Sequence, residues 1–393
     1  MNVWIQNPFD NLPSEGYRKQ RYWLMAEAFV RAGHQVTLWT SDFNHVGKRY
    51  RGLGGLGGSE GLEVRLIPTR AYRKNVSWER VRSHRAYAHA WERSAEEVAA
   101  ARGRPDLLIV SVPPLATGAV ALRLARRFNA RLIADVQDAW PETFVRLLPR
   151  PLRPLAPLLF APLTRAARRL YRGADLVTGV CDRYRGLVLA AGARAYERFY
   201  LGILPATTPQ LRMRQQSPSA SPQLRLVYAG GLGASYDLET ALRALVRAPF
   251  ATLDVAGDGP HRADLEQRAR ALGVADRVTF HGRLPAAALE ELLASSTAGL
   301  VPMTEESFVG IPNKVADYAS AGLVAVSSLN GECADLLARH GAHIAYRAGE
   351  ADSLAAALAM LKANPPAPDF AGLMGELDAR RIYASYVRAT TRS

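Results

Sequence analysis

A chain of 393 residues, 48% of them hydrophobic, has room for two domains of ordinary size and is too apolar to be disordered. No apolar run reaches the roughly 18–20 residues that span a bilayer. The start "MNVWIQNPFD" lacks the regions of a signal peptide. Two distant cysteines, Cys181 and Cys333, make neither a disulfide framework nor a metal cluster, so a cytoplasmic protein is expected. The net charge of +14 is uneven: residues 1–205 hold 32 Lys and Arg against 17 acids, and residues 206–393 hold 18 against 19. A one-sided field suits an anionic partner (nucleic acid, an acidic membrane surface or a phosphorylated substrate), unless it only dresses a solvated surface.

"NVWIQ" opens the chain as a strand, residues 17–32 follow as a helix ending at Gly33, and "QVTLWTS" is the next strand. "EVRLIP", "DLLIVSV", "RLIADV" and "DLVTGV" come next, with helical patterns between them. Short β-rich runs alternating with helices indicate a parallel sheet covered on both faces. The Pro-, Ser- and Gln-rich stretch 205–223 breaks the pattern and reads as a linker. It restarts with "LRLVYAG", "ATLDVAG", "RVTFHG", "TAGLVPM" and "LVAVSS", and "LDARRIYASYVRAT" reads as a terminal helix. The expected organisation is α/β, with two Rossmann-like doubly wound domains at 1–204 and 224–372 and a terminal helix at 373–393. Open α/β sheets bind ligands beyond the carboxyl ends of their strands. Two such domains facing each other make a cleft, and the linker suggests a hinge that closes it.

Three strand-to-loop junctions of the second half suit an anion. Gly230, Gly231 and Gly233 follow one strand, Gly257, Asp258 and Gly259 the next, and "HGRLP" brings Gly282, Arg283 and Leu284 to the same edge. Glycines there let backbone N–H groups approach a phosphate beside a helix N-terminus; each junction alone is equally an ordinary tight turn. "GLGGLG", residues 52–57, fits G-x-G-x-x-G letter for letter but follows "KRYR" rather than an apolar strand, so it reads as a flexible loop. No P-loop, nucleophile-elbow or zinc-protease motif occurs.

"PNKVADYASAG", residues 312–322, places a lone acid among small apolar residues. Pro312 suits a helix start and Gly322 its stop. Asn313, Lys314 and Asp317 then share a face by their i, i+3 and i, i+4 spacing. A carboxylate there can accept both hydroxyls of a ribose while Lys314 and the helix N-terminus hold a diphosphate; the alternative is an Asp317–Lys314 ion pair.

These motifs, in this order, resemble the retaining glycosyltransferases of family 4, which have the two-Rossmann GT-B architecture. "PNKVADYASAG" resembles the "PxKxxEYxAAG" of a bacterial polysaccharide subgroup with Asp for Glu. "SEGYRKQRYWLMAEAFVRAGHQVTLWTSDF", "DVQDAWPE", "GDGPHRADLE" and "HGRLP" resemble the subgroup's opening unit, its Asp–x–x–Asp–x–Trp–Pro–Glu segment and its nucleotide-binding turns. There are departures. Eight residues before Asp317 stands Val309 instead of an acid, so Glu305 or Glu306 takes that acid's place at the donor sugar. The Arg and Lys that many members carry after the first strand of the second domain are absent from "GGLGASYD".

The resemblance implies transfer of a sugar, with retention, from a UDP- or GDP-linked donor to a hydroxyl of a glycan or lipid-linked acceptor, in cell-surface polysaccharide or glycolipid assembly. It implies no cofactor, metal or protein nucleophile. Charge building on the departing diphosphate is met by fixed donors, with Lys314 and Glu306 among the reacting groups. Gly16, in the loop after the first strand, is placed at the donor phosphates, with Arg18 and Lys19 following. Asp138 either orients the acceptor hydroxyl or caps a helix. His34 and His281 read as structural. Residues 146–173 hold seven arginines and no acid among Leu, Ala and Pro. Such a segment lies on the inner face of an anionic membrane, unless it is a core helix with a basic outer face. Two rivals remain: a sugar-nucleotide epimerase of the same architecture, which needs no acceptor, and a non-enzymatic nucleic-acid-binding protein. The latter leaves the acid and glycine junctions unexplained.

Overall fold

The computed structural model describes residues 1–52, 58–204, 223–233, 235–305, 307 and 310–392. The chain divides into two compact units, Met1–Leu201 with Ala379–Ser393, and Gly202–Asp378.

In the first unit the apolar runs become β1 (Asn2–Gln6), β2 (Gln35–Ser41), β5 (Leu62–Ile67), β6 (Leu107–Val112), β7 (Arg131–Val136), β8 (Leu176–Gly179) and β9 (Tyr196–Arg198). They form one parallel sheet in the order β5-β2-β1-β6-β7-β8-β9. Every residue of β6 is buried, as expected of a strand covered on both faces. A short antiparallel pair, β3 (Phe43–Asn44) and β4 (Arg49–Tyr50), stands after β2. The helices are α1 (Arg21–Arg31), α2 (Trp78–Arg102), α3 (Gly118–Phe128), α4 (Glu142–Leu147), α5 (Ala156–Leu159), α6 (Ala161–Gly173) and α7 (Arg185–Ala190).

The second unit holds β10 (Leu224–Ala229), β11 (Ala251–Ala256), β12 (Val278–Gly282), β13 (Ala298–Val301), β14 (Val324–Ser327) and β15 (His343–Ala345), parallel in the order β12-β11-β10-β13-β14-β15. Its helices are α8 (Leu238–Arg247), α9 (Arg262–Ala271), α10 (Ala286–Ser295), α11 (Asn313–Ser320), α12 (Glu332–Arg339), α13 (Ala351–Ala363) and α14 (Phe370–Leu377). The strand order is the doubly wound 3-2-1-4-5-6, which reverses between β10 and β13. The first sheet reverses in the same way between β1 and β6.

Two expectations change. The first helix begins at Arg21, not residue 17, because residues 13–15 form a separate turn closed by Gly16 at φ +80°. The terminal helix does not begin at 373: α14 belongs to the second unit, and α15 (Ala379–Thr391) to the first. Extended backbone at Asp378 separates them, a break that the continuous apolar spacing of the sequence conceals. The linker at 205–223 falls outside the described residues except for Gln223, as do residues 53–57 of "GLGGLG".

α15 is fixed to the first unit by aromatic and polar contacts. Tyr386 packs edge-on to Phe199 and lies 3.2 Å from the Thr178 hydroxyl. Thr178 in turn donates to Asp135, which binds Arg21 through both oxygens, at 2.7 and 2.8 Å.

Candidate functional site

The reversal of strand order places the loops after β10 and β13 side by side at the carboxyl edge of the second sheet. The three glycine junctions meet along that edge. The Gly230 N–H donates to Ala256 O at 2.9 Å, Leu232 N–H to Asp258 O at 3.1 Å, and Gly257 N–H to Gly282 O at 2.7 Å. A Cβ at Gly257, where φ is +157°, would stand 1.8 Å from the Gly230 carbonyl oxygen, and one at Gly259 would stand 2.3 Å from that of Leu232. These two glycines therefore allow backbone to pack on backbone. Gly233, by contrast, faces open space, with nothing within 4 Å of a Cβ built there. The Asp258 carboxylate accepts the Gly259 N–H at 2.9 Å. Arg283 is exposed and Leu284 half-buried.

α11 follows the loop after β13. Pro312 is its N-cap, and it closes in a Schellman motif: Gly322, at φ +68°, donates to Ala319 O, and Leu323 to Tyr318 O. Tyr318 anchors the helix to the sheet. Its hydroxyl accepts the Ala229 N–H at 3.0 Å and lies 3.2 and 3.1 Å from the carbonyls of Val227 and Leu300. The ring occupies the space that a Cβ on Gly299 would take, at 2.2 Å.

Lys314 is only 4% exposed. Its ammonium sits between two rings, 4.2 Å from the centre of Tyr228 and 3.7 Å from that of Tyr236, and makes no hydrogen bond among the described residues. A Cβ on Gly230 would lie 3.3 Å from Lys314 Nζ. The Tyr228 hydroxyl donates to Gly231 O at 2.6 Å, tying that ring to the glycine turn. Burial lowers the Lys314 pKa to about 7, a fall partly countered by the charge of Asp317. An ammonium only partly offset by a neighbouring carboxylate and held against a glycine turn is suited to meet an anion. The helix gives Asn313 and Lys314 the expected spacing to Asp317, with Asp317 half-buried and Asn313 exposed. α11 lies on β13 and β14 and turns Lys314, Val315, Tyr318 and Ala319 inward, which leaves Asn313 outside.

The remaining expected residues are distributed as follows. Gly16, in the first unit, meets nothing within 4 Å of a Cβ. Arg18 is exposed beside it, and Lys19 is paired with Glu27 at 2.6 Å. Asp138 follows β7 and caps no helix: α4 has Pro141 as N-cap with no side-chain cap bond. Its carboxylate accepts from Trp140 Nε1 at 3.1 Å and Thr143 Oγ1 at 2.7 Å. Glu305 is exposed after β13, and Glu306 lies outside the described residues. His281 is paired with Asp254 at 2.7 Å, and His34 lies 3.3 Å from the chain's amino group. Among the described residues no cluster of His, Cys, Asp and Glu is arranged to hold a metal ion, and no helix is long and apolar enough to cross a membrane. Tyr228, Tyr236 and Tyr318 are the site residues that sequence reasoning missed. The Tyr of the "PxKxxEYxAAG" pattern was the available signal for Tyr318.

Residues 19–202 match the model of the glycosyl transferase 4-like domain, and residues 223–364 match that of the glycosyl transferases group 1. Sulfoquinovosyl transferase SQD2 of Arabidopsis thaliana is 26% identical over 245 residues, which is 60% of this chain and 45% of that longer relative. Anabaena HepE, solved in complex with UDP and glucose, is 15% identical with a TM-score of 0.69 over 99% of both chains. The pneumococcal O-GlcNAc transferase GtfA, solved in complex with UDP and GlcNAc, is 11% identical with a TM-score of 0.64 over 99% of this chain and 98% of its own. With a 4-like domain, then a group 1 domain, and two parallel-sheet Rossmann-like units matching such structures, the chain belongs to the GT-B glycosyltransferases of group 1.

Proposed function

We propose that the protein transfers a sugar from a nucleoside-diphosphate sugar to a hydroxyl of a glycan or lipid-linked acceptor, with retention of configuration, in the assembly of a surface polysaccharide or glycolipid. The observation that carries this reading is the Lys314 ammonium, buried between Tyr228 and Tyr236 beside Gly230 and making no hydrogen bond among the described residues. In this reading the donor diphosphate lies over the open glycines Gly231 and Gly233. Lys314 and the backbone N–H groups then meet the charge that develops as the sugar–phosphate bond breaks. Asp317 takes the ribose, Arg283 and Leu284 border the base, and Glu305 or Glu306 takes the donor sugar. From the first unit, Gly16 and Arg18 approach the phosphates and Asp138 orients the acceptor hydroxyl. That hydroxyl attacks from the face the diphosphate leaves, and the departing phosphate takes its proton. No protein nucleophile and no metal are used. Uridine is the favoured nucleoside because HepE and GtfA were both solved with UDP. A panel of nucleotide sugars in a thermal-shift assay, followed by assay of acceptor-dependent UDP release, tests the reading. A ligand at 100 times its dissociation constant stabilises by about 2.7 kcal/mol. Epimer formation with no acceptor present would instead support the epimerase.

Asp317→Ala is expected to weaken UDP binding about tenfold or more, since a hydrogen bond to a charged group contributes roughly 1.5–3 kcal/mol. Calorimetry on the folded variant checks it, and an unchanged affinity removes Asp317 from the ribose.

The reading includes attachment to an anionic membrane. Leu152, Leu155, Leu158 and Leu159 are exposed, Leu158 by 77%, where a core segment would bury them. On the following α6, Ala167, Leu170 and Tyr171 face inward, and Arg165, Arg168 and Arg169 outward. Apolar side chains bordered by arginines suit the interface of an anionic bilayer. Each basic residue there contributes about 1 kcal/mol. Replacing all three arginines with Gln is therefore expected to weaken binding to phosphatidylserine liposomes by up to about a hundredfold, with UDP binding unaltered. Wild-type protein that stays in the supernatant of a liposome sedimentation assay at moderate salt would remove the membrane from the reading.

A further inference from the structure

The first unit holds a second group of cations that have no direct ion-pair partner among the described residues. Beyond the carboxyl ends of β1, β2, β5 and β7, Phe9, Lys48, Tyr72, Arg80 and Trp140 converge. The Arg80 guanidinium lies 5.2 Å from the ring centre of Phe9, 5.5 Å from Trp140 and 5.9 Å from Tyr72, and Lys48 Nζ lies 4.5 Å from the Tyr72 centre. Asn75 joins the two cations: its side-chain oxygen accepts from Lys48 at 2.6 Å and its carbonyl from Arg80 at 2.7 Å. Arg80 also donates to His84 Nε2 at 3.2 Å. All of these partners are neutral. Among the described residues, no carboxylate stands within ion-pairing distance of either cation. The nearby Asp138, whose oxygens accept from Trp140 and Thr143, makes no direct pair with Arg80, and its charge only partly offsets the burial that disfavours the Arg80 cation.

His84 and His45, whose Nδ1 lies 3.4 Å from Lys48 Nζ, add no charge, because burial and the neighbouring cations lower the pKa of both to about 3. Lys48 is held at φ +52° in the turn between β3 and β4, a conformation unfavourable for a residue with a Cβ and one that tends to persist at functional sites. Holding two half-buried cations close together costs free energy that the rings and the charge of Asp138 offset only in part. Rings beside cations suit a ligand with an anionic group next to a sugar.

We propose that Lys48 and Arg80 bind the phosphate group of a phosphorylated acceptor whose sugar lies against Phe9 and Trp140. The proposal rests on the transferase reading above and supplies its acceptor class. Trp140 links the two tasks, since its ring borders Arg80 and its indole N–H holds Asp138, the residue placed at the acceptor hydroxyl. A phosphate carries more charge than a carboxylate and accepts from both cations at once. It also answers the net positive charge of residues 1–205.

The full chain, saturated with UDP so that the nucleotide site is filled, is titrated with glucose 6-phosphate, glucuronate and glucose by calorimetry at moderate salt. Glucose 6-phosphate is expected to bind at least about tenfold more tightly than the other two. Arg80→Gln and, separately, Lys48→Gln (in a surface turn, so little risk to folding) are each expected to lower that affinity about tenfold, with UDP affinity unchanged. Equal binding by wild type and both variants, no binding of glucose 6-phosphate, or a preference for glucuronate each overturns the proposal. If UDP does not bind and the Arg80- and Lys48-dependent phosphate site remains, the transferase reading fails and the site stands. Displacement of glucose 6-phosphate by farnesyl diphosphate at lower concentration assigns the phosphate to a lipid carrier. The reverse order assigns it to a soluble glycan, and both orders support the phosphate site.

Discussion

Asp135→Ala is expected to destabilise the first unit by about 3–5 kcal/mol, the usual cost of removing one partner of a buried ion pair. Asp135 is fully buried on β7 and accepts from Arg21 Nε at 2.8 Å, from the other Arg21 terminus at 2.7 Å and from Thr178 at 2.6 Å. The remaining Arg21 amine donates to Phe199 O and Tyr200 O, and the guanidinium lies 5.7 and 5.9 Å from the rings of Tyr383 and Tyr386. The pair therefore joins α1, β7, β8, the end of the first unit's main segment and the returning helix α15. Alanine would leave a buried guanidinium without its counter-charge. Burial pushes the Asp135 carboxyl up, but the charge and hydrogen bonds of Arg21, with the bond from Thr178, more than offset it, so the pKa lies below the ordinary value. A depressed carboxylate contributes stability above the unfolded-state pKa of about 3.9 and loses it as the pH falls through the lower folded value. The wild type should therefore lose part of its margin in acid below about pH 4, and the variant should lose less. Urea unfolding at neutral and acid pH measures both. A variant within about 1 kcal/mol of wild type at neutral pH would show that the network contributes little. The double variant Asp135→Leu/Arg21→Met is expected to recover much of the loss, because two apolar groups leave no buried charge.

The pair also shows where sequence reading stops. Asp135 and Asp138 stand in the same "DVQDAWPE", and only the pleat of β7 decides that Asp135 enters the core while Asp138 lies past the strand end. The long buried strands were legible because residues such as those of "LLIVSV" are apolar on both faces. β15 and β9, of three residues each, and the two-residue pair β3 and β4 carry too little pattern to be seen. The glycine junctions were legible because glycine is what close backbone approach demands. Tyr228 and Tyr236 were not, since Tyr228 reads as one more core residue of "LRLVYA". It comes to lie beside Lys314 only because β10 pairs with β13 and delivers α11 over that edge.

Lys314→Gln is expected to move stability and function in opposite directions. The free protein should become more stable, because the charge of Asp317 and the rings of Tyr228 and Tyr236 offset only part of the cost of burying the ammonium. UDP affinity should fall by about tenfold to a hundredfold, as for a lost charge-assisted bond to phosphate. Sugar transfer should fall about a hundredfold to a thousandfold, as when a donor to developing charge is removed. The pH dependence separates this role from packing. In the free wild type the Lys314 pKa is lowered to about 7, against about 10.4 in the unfolded chain. Between those values the unfolded state binds more protons, so the free protein gains stability as the pH rises from about 7 to about 10. Below about 7 the penalty is fully present. A diphosphate restores the ammonium's preference for its proton, so UDP binding takes up a proton. Its affinity should then fall with a slope approaching about tenfold per unit between pH 7 and pH 9, above the second phosphate ionisation near 6. Calorimetry in buffers of different ionisation enthalpy reads that proton directly. In Lys314→Gln the proton uptake and the slope should both disappear. A wild-type affinity that is flat from pH 7 to 9, with no proton taken up, would place the diphosphate away from Lys314 and leave the ammonium as a feature of the fold alone.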